Sequence, residues 1–322
     1  MGVDRPEDAD GPPDGRADHR DGEGDGGHGA GRPGGVPAET RHRQEYYADL
    51  RVAVSAEESV AAQRAAAREQ AAAEKWDASS QESRWMWTEY QRRWTPEERP
   101  PADRSADPPG SWRGNRDRFM DDAVNGRAEM ECDRMVEREQ ERISSALRAA
   151  ESQDRDRHLI GFEHRLKGRD RIKEKVYDTM NEFDFSPEEA ASLVPDAIRY
   201  TFQYREARYT QGVQTDIARL KDQGFELDKL KNSWSDEQYK GINSQWSEPD
   251  TGQRFEVQFH TRISSEAKQL THGAYERLRT RQADKFEQMV LEAFQEKVTA
   301  EVPVPPGADG VPDYPERGAD AR

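Results

Sequence analysis

Between Arg254 and Thr261 apolar and polar residues alternate: Phe255, Val257 and Phe259 fall against Glu256, Gln258 and His260. A period of two is that of a strand, with one set on each face. One face packs on a core, and the other presents a carboxylate, an amide and an imidazole in a row. Polar groups on a covered face cost free energy unless they are paired, so the row marks a site or its mouth. The whole stretch from Asp228 to Thr261 reads as two strands joined by a turn, with Tyr239 at the start of one and Glu256 inside the other.

The surrounding pattern supplies the partners of those strands. HLIGFEHRLKGRDRIKEKVYDTMNEF reads as a strand or loop giving way to a helix. SPEEAASLV carries a capping box, with Ser186 as N-cap, Pro187 at the first helical position and Glu189 three residues on. DAIRYTFQY is rich in β-branched and aromatic residues, as strands are. TQGVQTDIARLKDQGF is an amphipathic helix ended by Gly224. One or two further helices follow from Glu266. Strands and helices in this order predict an α+β domain over residues 158–300, a mixed β-sheet flanked by helices.

Ahead of it the pattern is helical but sparse in apolar positions. Residues 41–94 are rich in Ala, Gln, Glu and Arg, the strong helix formers, and Trp87, Tyr90 and Trp94 fall on one face. That stripe is expected to pack on another helix or a partner, which leaves room for self-association through helices. Residues 95–114 read as a Pro-rich linker, and residues 115–157 as a charged helix with Met130, Met135, Ile143 and Leu147 as its apolar markers. Residues 1–40, which hold 11 of the 24 glycines, and residues 301–322 are expected to be disordered tails.

Composition agrees with a small folded part: 33% of the 322 residues are apolar and 35% are charged. A net charge of -16 argues against general affinity for nucleic acid or membrane. The lysines are unevenly placed, since Lys75 alone of the eleven precedes Lys167, so cations suited to phosphate gather in the C-terminal half. Cys132 is the sole cysteine, which excludes a disulfide framework and a cysteine-built metal site. With no secretory h-region and no apolar run long enough to span a bilayer, a cytoplasmic location is expected, non-standard export staying open.

The candidate chemistry is that of phosphate transfer, which needs carboxylates for a divalent metal and cations for the moving charge. Asp196 at the mouth of one strand and Glu256 within another can share Mg2+ across a sheet. Arg165, Lys167, Arg171, Lys173 and Lys175 surround a helix start, where backbone amides and the helix dipole favour a polyphosphate. Tyr239, beside Lys240 and Gly241, offers a ring for stacking on a base. Each piece also has a plain structural reading: a solvated strand end, a basic surface helix, a core tyrosine.

Together and in this order, the pieces resemble the synthetase domain of the RelA/SpoT family, nucleotidyltransferase-like enzymes that make (p)ppGpp. The resemblance covers about residues 158–282. The basic motif matches Arg165, Lys167, Ile172 and Lys175, with Arg171 where a serine is usual. DAIRYTF supplies Asp196 and Arg199, LKNSWSDEQYKGIN supplies Lys231, Tyr239 and Asn243, and EVQFHT supplies Glu256 and Gln258. The closing helix matches at His272 and Tyr275, while Asn243 stands where the family commonly has histidine.

The resemblance implies transfer of pyrophosphate from ATP to the 3'-hydroxyl of GDP or GTP, with release of AMP. It makes Asp196 and Glu256 the catalytic Mg2+ ligands. Arg165, Lys167, Lys175 and Arg199 would bind ATP, and Tyr239, Lys231, Asn243, Gln258 and His272 would bind the acceptor. His260 is expected to be structural. Toxins of the same fold that act on adenine nucleotides or the tRNA 3' end are the alternative, and such a toxin would have an antitoxin or immunity protein. An inactive nucleotide- or partner-binding module is the alternative of another class. The family's hydrolase module has no counterpart, because none of the seven histidines is followed by an aspartate.

Overall fold

The computed structural model describes residues 38–93, 106–115, 117–153, 156–279 and 283–315. The chain divides into two units, Met1–Ser59 and Val60–Arg322. Of the first, residues 38–59 are helical, as the Ala- and Glu-rich sequence dictates. Of the tail expected at 1–40, residues 1–37 lie outside the described residues and 38–40 are helical; Trp94 and residues 95–105 of the expected linker also lie outside them.

The second unit is built on a five-stranded mixed sheet in the order β3-β4-β7-β6-β5. Its strands are β3 (Arg157–Leu159), β4 (Arg199–Tyr204), β5 (Glu226–Asn232), β6 (Ile242–Ser247) and β7 (Arg254–Thr261). β4 and β7 run parallel, and the other neighbours are antiparallel. The α+β architecture is thus as the pattern predicts. The stretch from Asp228 to Thr261 differs in detail, with three strands instead of two. Tyr239 lies in the loop between β5 and β6, before the strand and not at its start. Lys240 closes that loop by donating from Nζ to the carbonyls of Trp234 and Asp236, at 2.9 and 2.6 Å.

Alternation then assigns the faces. Tyr200, Phe202, Tyr204, Phe255, Val257, Phe259, Ile242 and Trp246 are buried on one side. Each such side chain contributes about 1.5–3 kcal/mol on burial. Helix α6 (Tyr209–Asp222) lies close to this face: Tyr209 donates to the Phe259 carbonyl at 2.9 Å. A Cβ on Gly212 of α6 would sit 2.6 Å from the Tyr204 ring, so glycine sets the helix–sheet spacing there.

Residues 115–157, expected as a charged helix apart from the domain, instead belong to its core. Asp122–Arg138 (α2) and Ser144–Ser152 (α3) are joined by a π-helical turn at Glu139–Ile143. Cys132, Met135, Ile143 and Leu147 are all buried. Of the four apolar markers Met130 is exposed, and the packed face also buries Glu131 and Glu139. Trp112, assigned to the linker, pairs through β1 (Trp112–Arg113) with β2 (Phe119–Met120) and is buried.

Helix α1 (Ala38–Arg93) carries the aromatic stripe. From Trp76 onward it packs as expected on helices α7 (Arg262–Arg279) and α8 (Lys285–Ala300). Trp76 donates to Glu266 at 2.7 Å, and Trp87 stacks on Tyr90 and on Phe294.

The C-terminal segment also departs from expectation, being folded back onto the sheet edge through residue 315. Tyr314 exchanges both backbone hydrogen bonds with Leu230 of β5, at 2.7 and 2.9 Å. The Asn232 side chain donates to the carbonyls of Ala308 and Val311. Val302, Ala308 and Val311 are buried. Residues 316–322 lie outside the described residues.

Candidate active site

The face of the sheet opposite the apolar one is a polar grid. Register aligns Arg199, Glu256 and Gln245 in one cross-strand row, and Thr201, Gln258 and Asn243 in the next. Lys229 and Lys231 of the edge strand pair with Gln245 and Asn243 and extend both rows. Side chains directly opposite one another on a pleated face are close enough to interact. The Glu256–Gln258–His260 row is therefore one column of a surface four strands wide.

Asp196 lies three residues ahead of β4. Its position is fixed by a short bridge in which Leu166 pairs with Ile198. Lys167 N donates to the Ala197 carbonyl at 3.0 Å, and Arg199 N to the Arg165 carbonyl at 2.7 Å. That bridge brings Lys167 Nζ to 3.1 Å from Asp196, and helix α4 (Arg169–Phe183) brings Lys175 Nζ to 2.8 Å. Burial opposes ionisation of Asp196, but the two lysines outweigh it and hold its carboxyl below the ordinary value. Glu256 behaves oppositely. Burial, with the charge of Asp196 added, raises its proton affinity, against the pull of Arg199, Gln258 and Lys268.

Lys268 is the residue that the sequence reading missed. It sits on α7, half-buried, and its Nζ donates to Gln258 Oε1, while Gln258 Nε2 donates to Glu256 Oε1. Burial lowers its pKa to about 8; Arg199 and Lys167 add to the fall, and Glu256 opposes it. The only signal for it in sequence is its place two turns into the helix that follows the Glu256 strand. Lys167, Lys175, Arg199 and Lys268 thus gather around Asp196 and Glu256. That is two more positive than negative charges in a chain of net -16. Burial lowers the Lys167 pKa, with help from Arg199 and Lys175, so these cations repel one another. Such a group binds a polyanion more readily than it binds nothing.

The remaining candidates fall into two sets. Tyr239 reaches the grid: its hydroxyl donates to Asn243 Oδ1 at 2.8 Å and lies 2.9 Å from His260 Nε2. Its pKa is raised by burial, with Glu256 adding to the effect. Lys231 is exposed on the edge strand, 4.0 Å from Asp236. Arg165 is drawn away from the grid. Its Nε donates to the fully buried Glu139 at 2.7 Å, and its guanidinium lies over Phe162. Lys173 is buried against Glu129 and Asn125, and Arg169 pairs with Glu129 and Asp133, so these members of the basic segment serve helix packing. His272 is exposed on α7, one turn beyond Lys268.

No family model and no curated protein matches the chain. Among solved structures, it is similar to the small alarmone synthetase 1 of Bacillus subtilis bound to its product pppGpp. That match has a TM-score of 0.35 and 11% identity, covering 54% of this chain and 90% of that one. A second structure of the same synthetase gives 0.36 and 13%, covering 56% and 92%. A GTP pyrophosphokinase family protein from Streptococcus pneumoniae gives 0.36 and 11%, covering 56% and 92%.

Proposed function

We propose that this protein transfers pyrophosphate from ATP to a hydroxyl of a purine nucleotide, releasing AMP, as a RelA/SpoT-type synthetase does. The observation that carries the reading is the group of four cations around two carboxylates on a polar sheet face. Transfer between phosphates asks little of a protein beyond positioning and charge neutralisation. Lys167, Lys175, Arg199 and Lys268 would bind the triphosphate, and its negative charge would relieve their mutual repulsion.

Asp196 and Glu256 would hold Mg2+. They offer two hard oxygen donors that sense each other's charge, and Lys167 and Lys175, which now pair with both Asp196 oxygens, would release them on turning to the triphosphate. Among the described residues no group of three or more His, Cys, Asp and Glu gathers, so substrate phosphates and water would complete the shell. When bound, the ion would neutralise charge on the transferring phosphates.

The acceptor would lie on the other side of Glu256, with its base against Tyr239 and its phosphates toward Lys231 and Lys229, the exposed lysines of β5. Its 3'-hydroxyl would form the new bond to the β-phosphorus of ATP as the bond from that phosphorus to the AMP oxygen breaks. The hydroxyl proton would pass to Glu256. GDP and GTP are the acceptors favoured here. Incubating the full chain with ATP, Mg2+ and GDP or GTP tests this: AMP should form with the wild type and fall at least about 100-fold with Asp196→Asn or Glu256→Gln. Equal turnover by the variants would move the site elsewhere.

A further inference from the structure

The third member of the polar row, His260, is fully buried, and it belongs to a chain of hydrogen bonds that ends on Tyr239. Thr261 N–H donates to Ser264 Oγ at 2.9 Å, and Ser264 Oγ lies 2.9 Å from His260 Nδ1. His260 Nε2 lies 2.9 Å from the Tyr239 hydroxyl, which donates to Asn243 Oδ1 at 2.8 Å. The directions follow from counting protons. A phenol has one proton, and Tyr239 gives it to Asn243. Its oxygen is then an acceptor, so His260 must carry its proton on Nε2. Nδ1 is then bare and takes the Ser264 hydroxyl proton at 2.9 Å, in preference to the Thr261 carbonyl, which lies 3.3 Å from the same hydroxyl.

Two further features hold this arrangement. Burial keeps the imidazole neutral, with the charge of Lys268 acting in the same sense and a hydrogen bond to the Lys240 backbone opposing it. Gly241, at φ +152°, passes directly over the ring: a Cβ there would lie 2.7 Å from His260 Cε1 and 3.0 Å from Nδ1. The two rings meet edge-on at 83° with centroids 5.5 Å apart.

We infer that His260 is a positioning residue, whose Nε2–H holds the Tyr239 hydroxyl so that the ring face, and not the hydroxyl, is offered to the acceptor base. Its contribution to acceptor binding rests on the transferase reading of Tyr239; the hydrogen-bond chain stands without it. With its one proton and its lone pair engaged inside the protein, Tyr239 recognises a base by stacking alone.

Two substitutions separate the halves of the imidazole. His260→Gln keeps an N–H where Nε2–H was, whereas His260→Asn keeps an acceptor where Nδ1 was and gives Tyr239 nothing. With ATP, Mg2+ and the full chain, His260→Asn should raise the KM for GDP about tenfold and change kcat at saturating GDP little. His260→Gln should stay within about threefold of wild type on both constants. Equal losses in both variants would reduce His260 to packing and overturn the inference. Nitrogen-15 NMR of the histidine-labelled wild type, assigned by the signal lost in His260→Gln, needs no turnover. A proton on Nε2 supports the chain, and a proton on Nδ1 or on both nitrogens overturns it. A wild type that makes no AMP while its His260 carries the Nε2 proton overturns the transferase reading and leaves the chain intact.

Discussion

Replacing Lys268 by methionine should make the free protein more stable and its complex with ATP weaker. The free ammonium is held among Arg199 and Lys167 in a half-buried position, which lowers its pKa from 10.5 to about 8. At about 1.4 kcal/mol for each tenfold change in proton affinity, that fall corresponds to a cost of ~3 kcal/mol for carrying the charge. The sign fixes the pH window. Below pH 8 the amine is protonated in both folded and unfolded chains, so the cost is fully felt; it is relieved as pH rises from 8 toward 10.5. Lys268→Met, of similar length, removes the cost, less the hydrogen bond to Gln258 Oε1, which contributes about 1.5–3 kcal/mol. The net gain at pH 7 is therefore at most ~1–2 kcal/mol. A triphosphate reverses the balance, because its charge stabilises the ammonium. Losing one charge-assisted contact should weaken ATP binding about 10- to 100-fold. Urea unfolding at pH 7 and pH 9.5, with titration calorimetry of ATP and Mg2+, reads both effects. A variant that is less stable at pH 7 and binds ATP as wild type does would refute the reasoning, since Lys268 would then be a packing residue.

Two more outcomes concern the frame around the site. Glu206 has its pKa pushed up to about 7, first by burial and then by Glu69, whose carboxylate accepts from the Glu206 backbone N–H. A raised carboxyl favours folding below its unfolded value and loses that stability as pH climbs through 7. Glu69→Gln should therefore flatten the decline in thermal midpoint between pH 5 and pH 8 by raising its upper end; an unchanged profile would dismiss the pair. Asn232 donates to Ala308 and Val311 and accepts from Trp234 N at 3.1 Å, tying the C-terminal segment to the base of the Tyr239 loop. Asn232→Ala leaves these groups unpaired, at about 1–3 kcal/mol. Hydrogen exchange should rise together over residues 302–314 and 233–241, and a rise in either alone would show that the two are not coupled.

The sheet was legible wherever alternation is strict. β7 reads directly from Phe255, Val257 and Phe259, and the helix at Pro187–Ser192 from its capping box, with Ser186 accepting from Glu189 N and Glu189 from Ser186 N. What escaped was hidden by physics that a linear pattern does not carry. The charged stretch from Asp122 to Ser152 looks solvated because its buried face is narrow, and Glu139 within it is wholly buried against Arg165, Tyr200 and Ser144. The C-terminal segment is secured by backbone bonds and by Asn232, neither of which leaves a periodic trace. Lys268 looks like any helix-surface lysine until register places Gln258 beneath it. Of the cations proposed for ATP, Lys167, Lys175 and Arg199 meet the carboxylates, and Arg165 is held by Glu139 instead.

The central claim is that two phosphates move as one unit onto a nucleotide. Intact-mass analysis of the product made by the full chain from ATP and GDP or GTP, in the presence of Mg2+, tests it most directly. Pyrophosphate transfer yields an acceptor heavier by one pyrophosphate unit, with one AMP formed for each. An acceptor heavier by one phosphate with ADP as co-product, or no modified acceptor at all, would contradict it.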